Sequence, residues 1–140
     1  MGRSHMESAT RTRVMRSIRK RDTQPELLVR RALHAAGLRF RLYRSDLPGN
    51  PDIIMPRRRL ALLIHGCFWH QHPGCRLCRQ PSRNIDYWLP KLARNVARDA
   101  RTRSELEALG WRVLVIWECE ARDPARVSEI ITAIKAAAPT

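Results

Sequence analysis

Between residues 22 and 37, Leu27, Leu28, Ala32, Leu33 and Ala36 recur at helical spacing and predict a helix with one apolar face. Asp22 or Thr23 can cap its start, Pro25 suits the first turn, Glu26 meets the positive end of the helix dipole, and Gly37 closes it. The period then changes from about 3.6 to 2: Leu38, Phe40 and Leu42 alternate with Arg39, Arg41 and Tyr43, as in a half-buried strand. A Pro/Gly/Asn turn over 47–51 leads to a second short strand, 52–55, ended by Pro56 and the basic turn Arg57-Arg58-Arg59. Residues 60–65 are apolar enough for a central strand. Leu89, Leu92, Val96 and Ala100 predict a long helix over 86–109 with Gly110 as its stop. A buried strand over 111–117 and a terminal helix over 127–138 complete the order α-β-β-β-α-β-α. That order predicts an α/β fold, a mixed β-sheet flanked by helices.

Composition narrows the partners. The chain has 140 residues, enough for one sizeable core, and a formal net charge of +14. An excess that large favours a polyanion whose phosphates carry the affinity. Only Lys20, Lys91 and Lys135 are lysines, so arginine supplies nearly all the charge, and its fork suits phosphate and guanine. Residues 1–5 read as an expression-tag remnant and residues 6–21 as a basic arm lying on DNA, with Arg16 and Arg19 among its cations. Residues 22–140 then form a single domain. No apolar run approaches the ~20 residues of a membrane span and no signal peptide is evident, which points to a cytoplasmic location.

The chemistry concentrates in residues 65–78. They hold His65, His70, His72, Cys67, Cys75, Cys78, Phe68 and Trp69. Cysteines placed among histidines in a chain of this type argue for metal rather than disulfides. Cys67, His72 and Cys75 supply three soft ligands, and a closed zinc site wants four. Two residues compete for the fourth place. Cys119 would clamp the loop to the last strand, whereas Cys78 would make a local Cys-x2-Cys pair. Separately, Asp52 follows Pro51 at the head of a strand, where one carboxylate can hold Mg²⁺ and leave positions open for waters and phosphate oxygens. A neutral imidazole such as His70 can take a proton near neutral pH.

Pro-Asp opening the second strand of an α-β-β-β-α-β core resembles the restriction-endonuclease-like nucleases. Their second carboxylate and lysine are missing from the matching Leu63-Ile64-His65. That departure, together with Asp22-Thr23, Glu26, residues 47–52, Gly66-Cys67-Phe68-Trp69-His70, Trp88, Lys91, Asn95, Arg98-Asp99 and residues 109–119, resembles the very-short-patch-repair (Vsr) mismatch endonucleases. The resemblance implies a Mg²⁺-dependent, strand-specific nick 5′ to the thymine of a T:G mismatch, the lesion left by deamination of 5-methylcytosine. It implies Asp52 and the backbone carbonyl of Ile64 as Mg²⁺ ligands, His70 as the base, and His65 and Glu26 as assisting groups. It also implies a structural zinc on Cys67, His72, Cys75 and Cys119. Phe68, Trp69 and Trp88 become a wedge entering the base stack, with Met15 inserting from the arm. Lys91, Asn95 and Arg98 would track DNA.

Double-stranded DNA with a T:G mismatch is then the partner. Mismatch-repair proteins of the MutL and MutS type, a nucleoid-associated location and a monomeric state complete the expectation. Two other readings remain: a nuclease of this fold with a different site or lesion, and a non-catalytic zinc-containing DNA-binding module.

Overall fold

A computed structural model describes residues 22–137. Among them the order is α1 (Gln24–Ala35), β1 (Arg41–Leu42), β2 (Ile53–Met55), a 3-10 turn (Pro56–Arg58), β3 (Leu60–His65), α2 (Ile85–Ala108), β4 (Arg112–Trp117), α3 (Glu118–Ala121) and α4 (Pro124–Ala136). The expected α-β-β-β-α-β-α order is present, with the short α3 added after β4. Met15, Arg16, Arg19 and the rest of the basic arm lie outside the described residues.

The four strands form one mixed sheet in the order β1-β2-β3-β4. β1, β2 and β3 are antiparallel neighbours, while β3 and β4 run parallel, pairing Leu60 with Arg112 through His65 with Trp117. Parallel neighbours need a crossover that returns the chain to its starting end, and the 24-residue α2 provides it.

Alternation along β3 separates two cores. Leu60, Leu62 and Ile64 join Ile53, Met55 and Ile116 against Val29 and Leu33 of α1 and Ile130 and Ile134 of α4. On the opposite face Ala61 and Ile54 meet Leu106 of α2 and Trp111. The sheet is thus covered on both sides, which explains the unbroken apolar run of β3. Ile53 and Leu62 are wholly buried, each worth about 1.5–3 kcal/mol in apolar transfer.

The structure corrects four details of the sequence pattern. On α1 the buried positions are Pro25, Glu26, Val29 and Leu33, while Leu27 and Leu28 are half-buried. On α2, Leu89 and Val96 are exposed, at 47% and 44%. The inward stripe is Leu92, Asn95, Asp99, Thr102 and Leu106, with Leu92 and Leu106 fully buried. Its middle is polar because it covers the chemistry at the end of β3, so hydropathy located the helix and missed its working face. β1 pairs over only two residues; Tyr43 then takes φ 54 and leaves the extended region, although Leu38 and Phe40 still pack on the core. β4 is an edge strand, and Trp117 at its end is half-buried rather than core.

The turn before β2 is held against α2. Gly49 has φ +72, and a Cβ there would stand 2.3 Å from the Thr102 methyl group. Only glycine allows both the left-handed backbone and that approach. The contact fixes where Pro51 and Asp52 enter the sheet.

Candidate active site and metal centre

Asp52 precedes β2, and Ile64 is the penultimate residue of the antiparallel β3. The side-chain Oδ2 of Asp52 accepts the backbone N–H of Ile64 at 2.8 Å. A carboxylate is thereby pinned to the carboxyl-terminal end of β3, the end at which open α/β sheets bind ligands. Burial pushes the Asp52 carboxyl up to about 7, and the neighbouring Glu26 carboxylate adds to the rise while the Ile64 amide opposes it. Two acids this close and this buried repel when both are ionised. A hard divalent cation relieves that repulsion, and the oxygen donors here fit one.

The next residue along β3 begins the second group. His65 and His70 stack with ring centroids 3.9 Å apart and planes 5° from parallel. His70 Nδ1 meets Asp99 Oδ2 at 2.6 Å, while His65 Nε2 is 4.0 Å from Asp99 Oδ1, beyond hydrogen-bond range. Donation from Nδ1 to the carboxylate leaves Nε2 of His70 as the acceptor. Burial lowers His65 to about 4, with the neighbouring His70 adding to the effect, so His65 is neutral at physiological pH. Donor atoms of His65, His70 and Asp99 lie within 4.8 Å of one another. Parallel rings nonetheless send their lone pairs along parallel planes, and a cation about 2.0–2.1 Å from both nitrogens would sit far out of each plane. The stacked geometry of this trio suits proton transfer better than chelation.

Four residues do converge on a metal-like point. The donor atoms of Cys67, His72, Cys75 and Cys119 lie within 4.8 Å of one another. His72 Nδ1 is 3.7 Å from the Cys67 sulfur and 3.5 Å from that of Cys119. A tetrahedron with zinc–sulfur and zinc–nitrogen bonds of ordinary length has an S···N edge of about 3.6 Å. Cys67 is fully buried, and burial pushes its thiol up to about 12. A bound Zn²⁺ would ionise it. Cys78 stands outside this group: its amide faces the Cys75 sulfur, and its N–H donates to the Cys75 carbonyl at 3.1 Å. Of the two competing residues, Cys119 is the one brought to the other three, by the first turn of α3. The 66–72 loop is wound tightly enough to present both sets of side chains, with His70 N–H on the Gly66 carbonyl and His72 N–H on the Cys67 carbonyl. Trp117 joins the two sites, stacking on His72 at 4.2 Å and meeting His65 edge-on at 5.3 Å.

Phe68, Trp69 and Trp88 pack as one half-exposed cluster with centroids 5.3 to 5.6 Å apart, and Tyr87 extends it. Lys91 Nζ lies 5.4 to 5.8 Å from the rings of Trp69, Tyr87 and Trp88, and Asn95 donates to the Trp69 carbonyl at 3.2 Å. Lys91 and Asn95 therefore support the aromatic cluster, whereas Arg98 is exposed on α2.

Glu26 receives three donors on Oε2: the Asp22 amide at 2.8 Å, the Tyr43 hydroxyl at 2.8 Å and Arg30 at 3.1 Å. Sequence reasoning named Asp99 among the residues of the resemblance without giving it a role, and missed Arg30, Tyr43 and the linking place of Trp117. For Asp99 the available signal was its place on the helical stripe Leu92, Asn95, Asp99, Thr102 and Leu106, whose members recur every 3–4 residues.

A family model described as DNA mismatch endonuclease Vsr matches residues 4–76. The DNA mismatch endonuclease Vsr of Escherichia coli K12 is 42% identical over 123 residues, covering 88% of this chain and 78% of the relative. The chain belongs to the Vsr endonuclease family. It is 54% identical over 110 residues to the type II nicking enzyme V.XorIIP of Xanthomonas oryzae pv. oryzae, covering 79% and 80% of the two chains. The catalytic domain of homing endonuclease I-Bth0305I shares the fold, with a TM-score of 0.55 over 82% of this chain and 96% of that one at 22% identity. That likeness is one of fold, and agrees with the mixed α/β architecture expected from the element order. As a Vsr-family protein the chain is a DNA-acting hydrolase. No helix among the described residues is long and apolar enough to cross a membrane.

Proposed function

We propose that this enzyme makes a Mg²⁺-dependent nick 5′ to the thymine of a T:G mismatch in double-stranded DNA. The observation that carries the reading is the placement of the Asp52 carboxylate, held by the Ile64 amide, and the His70–Asp99 pair at one end of β3, beside the Phe68/Trp69/Trp88 cluster. Asp52 and the Ile64 carbonyl would hold Mg²⁺, which supplies positive charge against the charge developing on the phosphate. His70 takes a proton from the attacking water at Nε2. Asp99 keeps the imidazole in the tautomer that can do so, and compensates the imidazolium that results. Neutral His65 buttresses the His70 ring by stacking, and Glu26 shares the carboxylate side of the site with Asp52. Cys67, His72, Cys75 and Cys119 would hold a structural Zn²⁺ that fixes the loop carrying His70 and the aromatics.

The aromatic cluster gives a physical basis for mismatch choice. A wobble pair stacks and pairs less well than a matched pair, so a side chain opens the step beside it at lower cost. The high positive charge supplies backbone affinity without choosing sequence.

An end-labelled duplex bearing one T:G mismatch, tested in several flanking sequences with Mg²⁺, should give a single nick 5′ to the mismatched thymine. The matched duplex should remain intact. Equal cutting of both, or no cutting in any flank, would sink the proposal. In the same assay Asp99→Asn should slow nicking by about 10- to 100-fold, because the correct tautomer and the compensating charge are lost together. Binding to the mismatch duplex, measured by anisotropy, should be unchanged. A matching loss of binding would instead make Asp99 a DNA contact.

A further inference from the structure

Glu26 is only 3% exposed, yet three donors converge on one of its oxygens. Two of the three come from side chains outside the residue set of the proposed mechanism. Arg30 lies one turn along α1, and its Nη2 also donates to the Tyr43 hydroxyl. Tyr43 stands just past β1, where the chain leaves the sheet. Asp22 completes the ring: its Oδ1 accepts from Arg30 Nη1 at 2.8 Å and lies 3.0 Å from the Tyr43 hydroxyl, whose single proton it shares with Glu26. Asp22 and Tyr43 both occupy the left-handed backbone region, at φ 56 and 54. Such non-glycine residues are held there at a cost of about 1 kcal/mol or more each, and the network supplies the restraint.

Glu26 is also a neighbour of Asp52. It acts on Asp52 both through its charge and through a hydrogen bond. A carboxylate free to turn would offer Asp52 a different neighbour in each rotamer. The clasp removes that freedom by occupying Oε2 from three directions. It also keeps Glu26 paired with a guanidinium that is 15% exposed.

We propose that Tyr43 and Arg30 are positioning residues for the catalytic cation: they clasp Oε2 of Glu26, and so set the arrangement that Glu26 and Asp52 together present to Mg²⁺. The inference rests on the reading of Asp52 as a Mg²⁺ ligand. It adds two residues that act on the cation through Glu26.

Tyr43→Phe is the test, because it deletes one hydroxyl and keeps the ring. Mn²⁺ binding is followed by electron paramagnetic resonance on the full zinc-loaded chain without DNA, with Asp52→Asn defining which binding belongs to this site. Tyr43→Phe should weaken that binding about tenfold, in line with the loss of an outer partner of a metal ligand. The half-saturating Mg²⁺ for nicking should rise by the same factor, and excess Mg²⁺ should restore the rate. Affinity for the mismatch duplex in Ca²⁺ should change by less than about twofold. Arg30→Lys, which keeps the charge but not the fork, should fall between wild type and Tyr43→Phe.

Unaltered Mn²⁺ affinity in Tyr43→Phe overturns the proposal, as does a lowered rate that excess Mg²⁺ does not restore. Mn²⁺ binding indifferent to Asp52→Asn overturns it as well. A wild-type protein that binds Mn²⁺ through Asp52 but ignores T:G mismatches removes the proposed substrate, and the Mn²⁺ comparison still decides the roles of Tyr43 and Arg30.

Discussion

Asp52→Asn is expected to abolish nicking, by at least about a thousandfold, while making the Mg²⁺-free protein more stable. The two effects share a cause. Burial and the Glu26 carboxylate raise the Asp52 pKa to about 7, far above its unfolded value near 3.8. A group raised in this way favours the folded state while it keeps its proton. That contribution is fully present below the unfolded pKa and is lost as pH climbs through about 7. Asparagine has the shape of the protonated acid, can accept the Ile64 amide with its oxygen and can donate to Glu26 with its nitrogen. Linkage puts the gain at up to about 4 kcal/mol at pH 8 and below about 2 kcal/mol at pH 5. Urea unfolding at the two pH values, without Mg²⁺, measures it. A gain that fails to shrink on acidification would mean that the Asp52 carboxyl is not raised. The same shift predicts that nicking at limiting Mg²⁺ weakens as pH falls below about 7, because a protonated Asp52 is a poor ligand.

Removal of the proposed zinc should be felt most by the loop that carries His70, Phe68 and Trp69. Cys119→Ser, which cuts the tie between loop and α3, is expected to yield protein without one equivalent of zinc. Its stability should fall by about 3–6 kcal/mol, part of the ~10–16 kcal/mol that structural zinc contributes in small domains. For a chain of this size that is a fall in Tm of at least about 10 °C. Nicking should be lost, since the loop positions His70, the proposed base. Cys78→Ser should keep one zinc and near-normal stability. Zinc quantified by a colorimetric chelator, beside a thermal melt, separates the two variants. Retention in Cys119→Ser with loss in Cys78→Ser would reverse the choice between them.

Much of the architecture was legible because its signals are local. β3 is apolar on both faces and announces a central strand, the Thr23-Gln24-Pro25-Glu26 cap marks the start of α1, and Gly110 ends the run after α2. Thr23 does accept the Glu26 amide, at 3.4 Å. The cluster in residues 65–78 was equally visible, because Cys and His side chains able to hold one metal crowd into one loop. Hydropathy failed where a buried face is polar. Asp99 reads as one more charge on a charged helix until α2 is laid across the end of β3. Leu89 and Val96 read as packing positions and prove exposed.

By itself the sequence determined the element order, the mixed-sheet class, the basic character and membership of the Vsr family, since spacing, cap residues and motifs act over a few positions. Only the tertiary structure decided which residues share a site. It brought Cys119 from α3 to Cys67, His72 and Cys75, paired His70 with Asp99 across 29 positions, and folded Tyr43 back onto Glu26 across 17. The physical reason is that a pKa, a set of converging metal-ligand atoms and a hydrogen-bonded clasp depend on distances of a few ångströms between segments far apart in the chain. Those distances exist only once the sheet, its two apolar faces and the α2 crossover have been assembled.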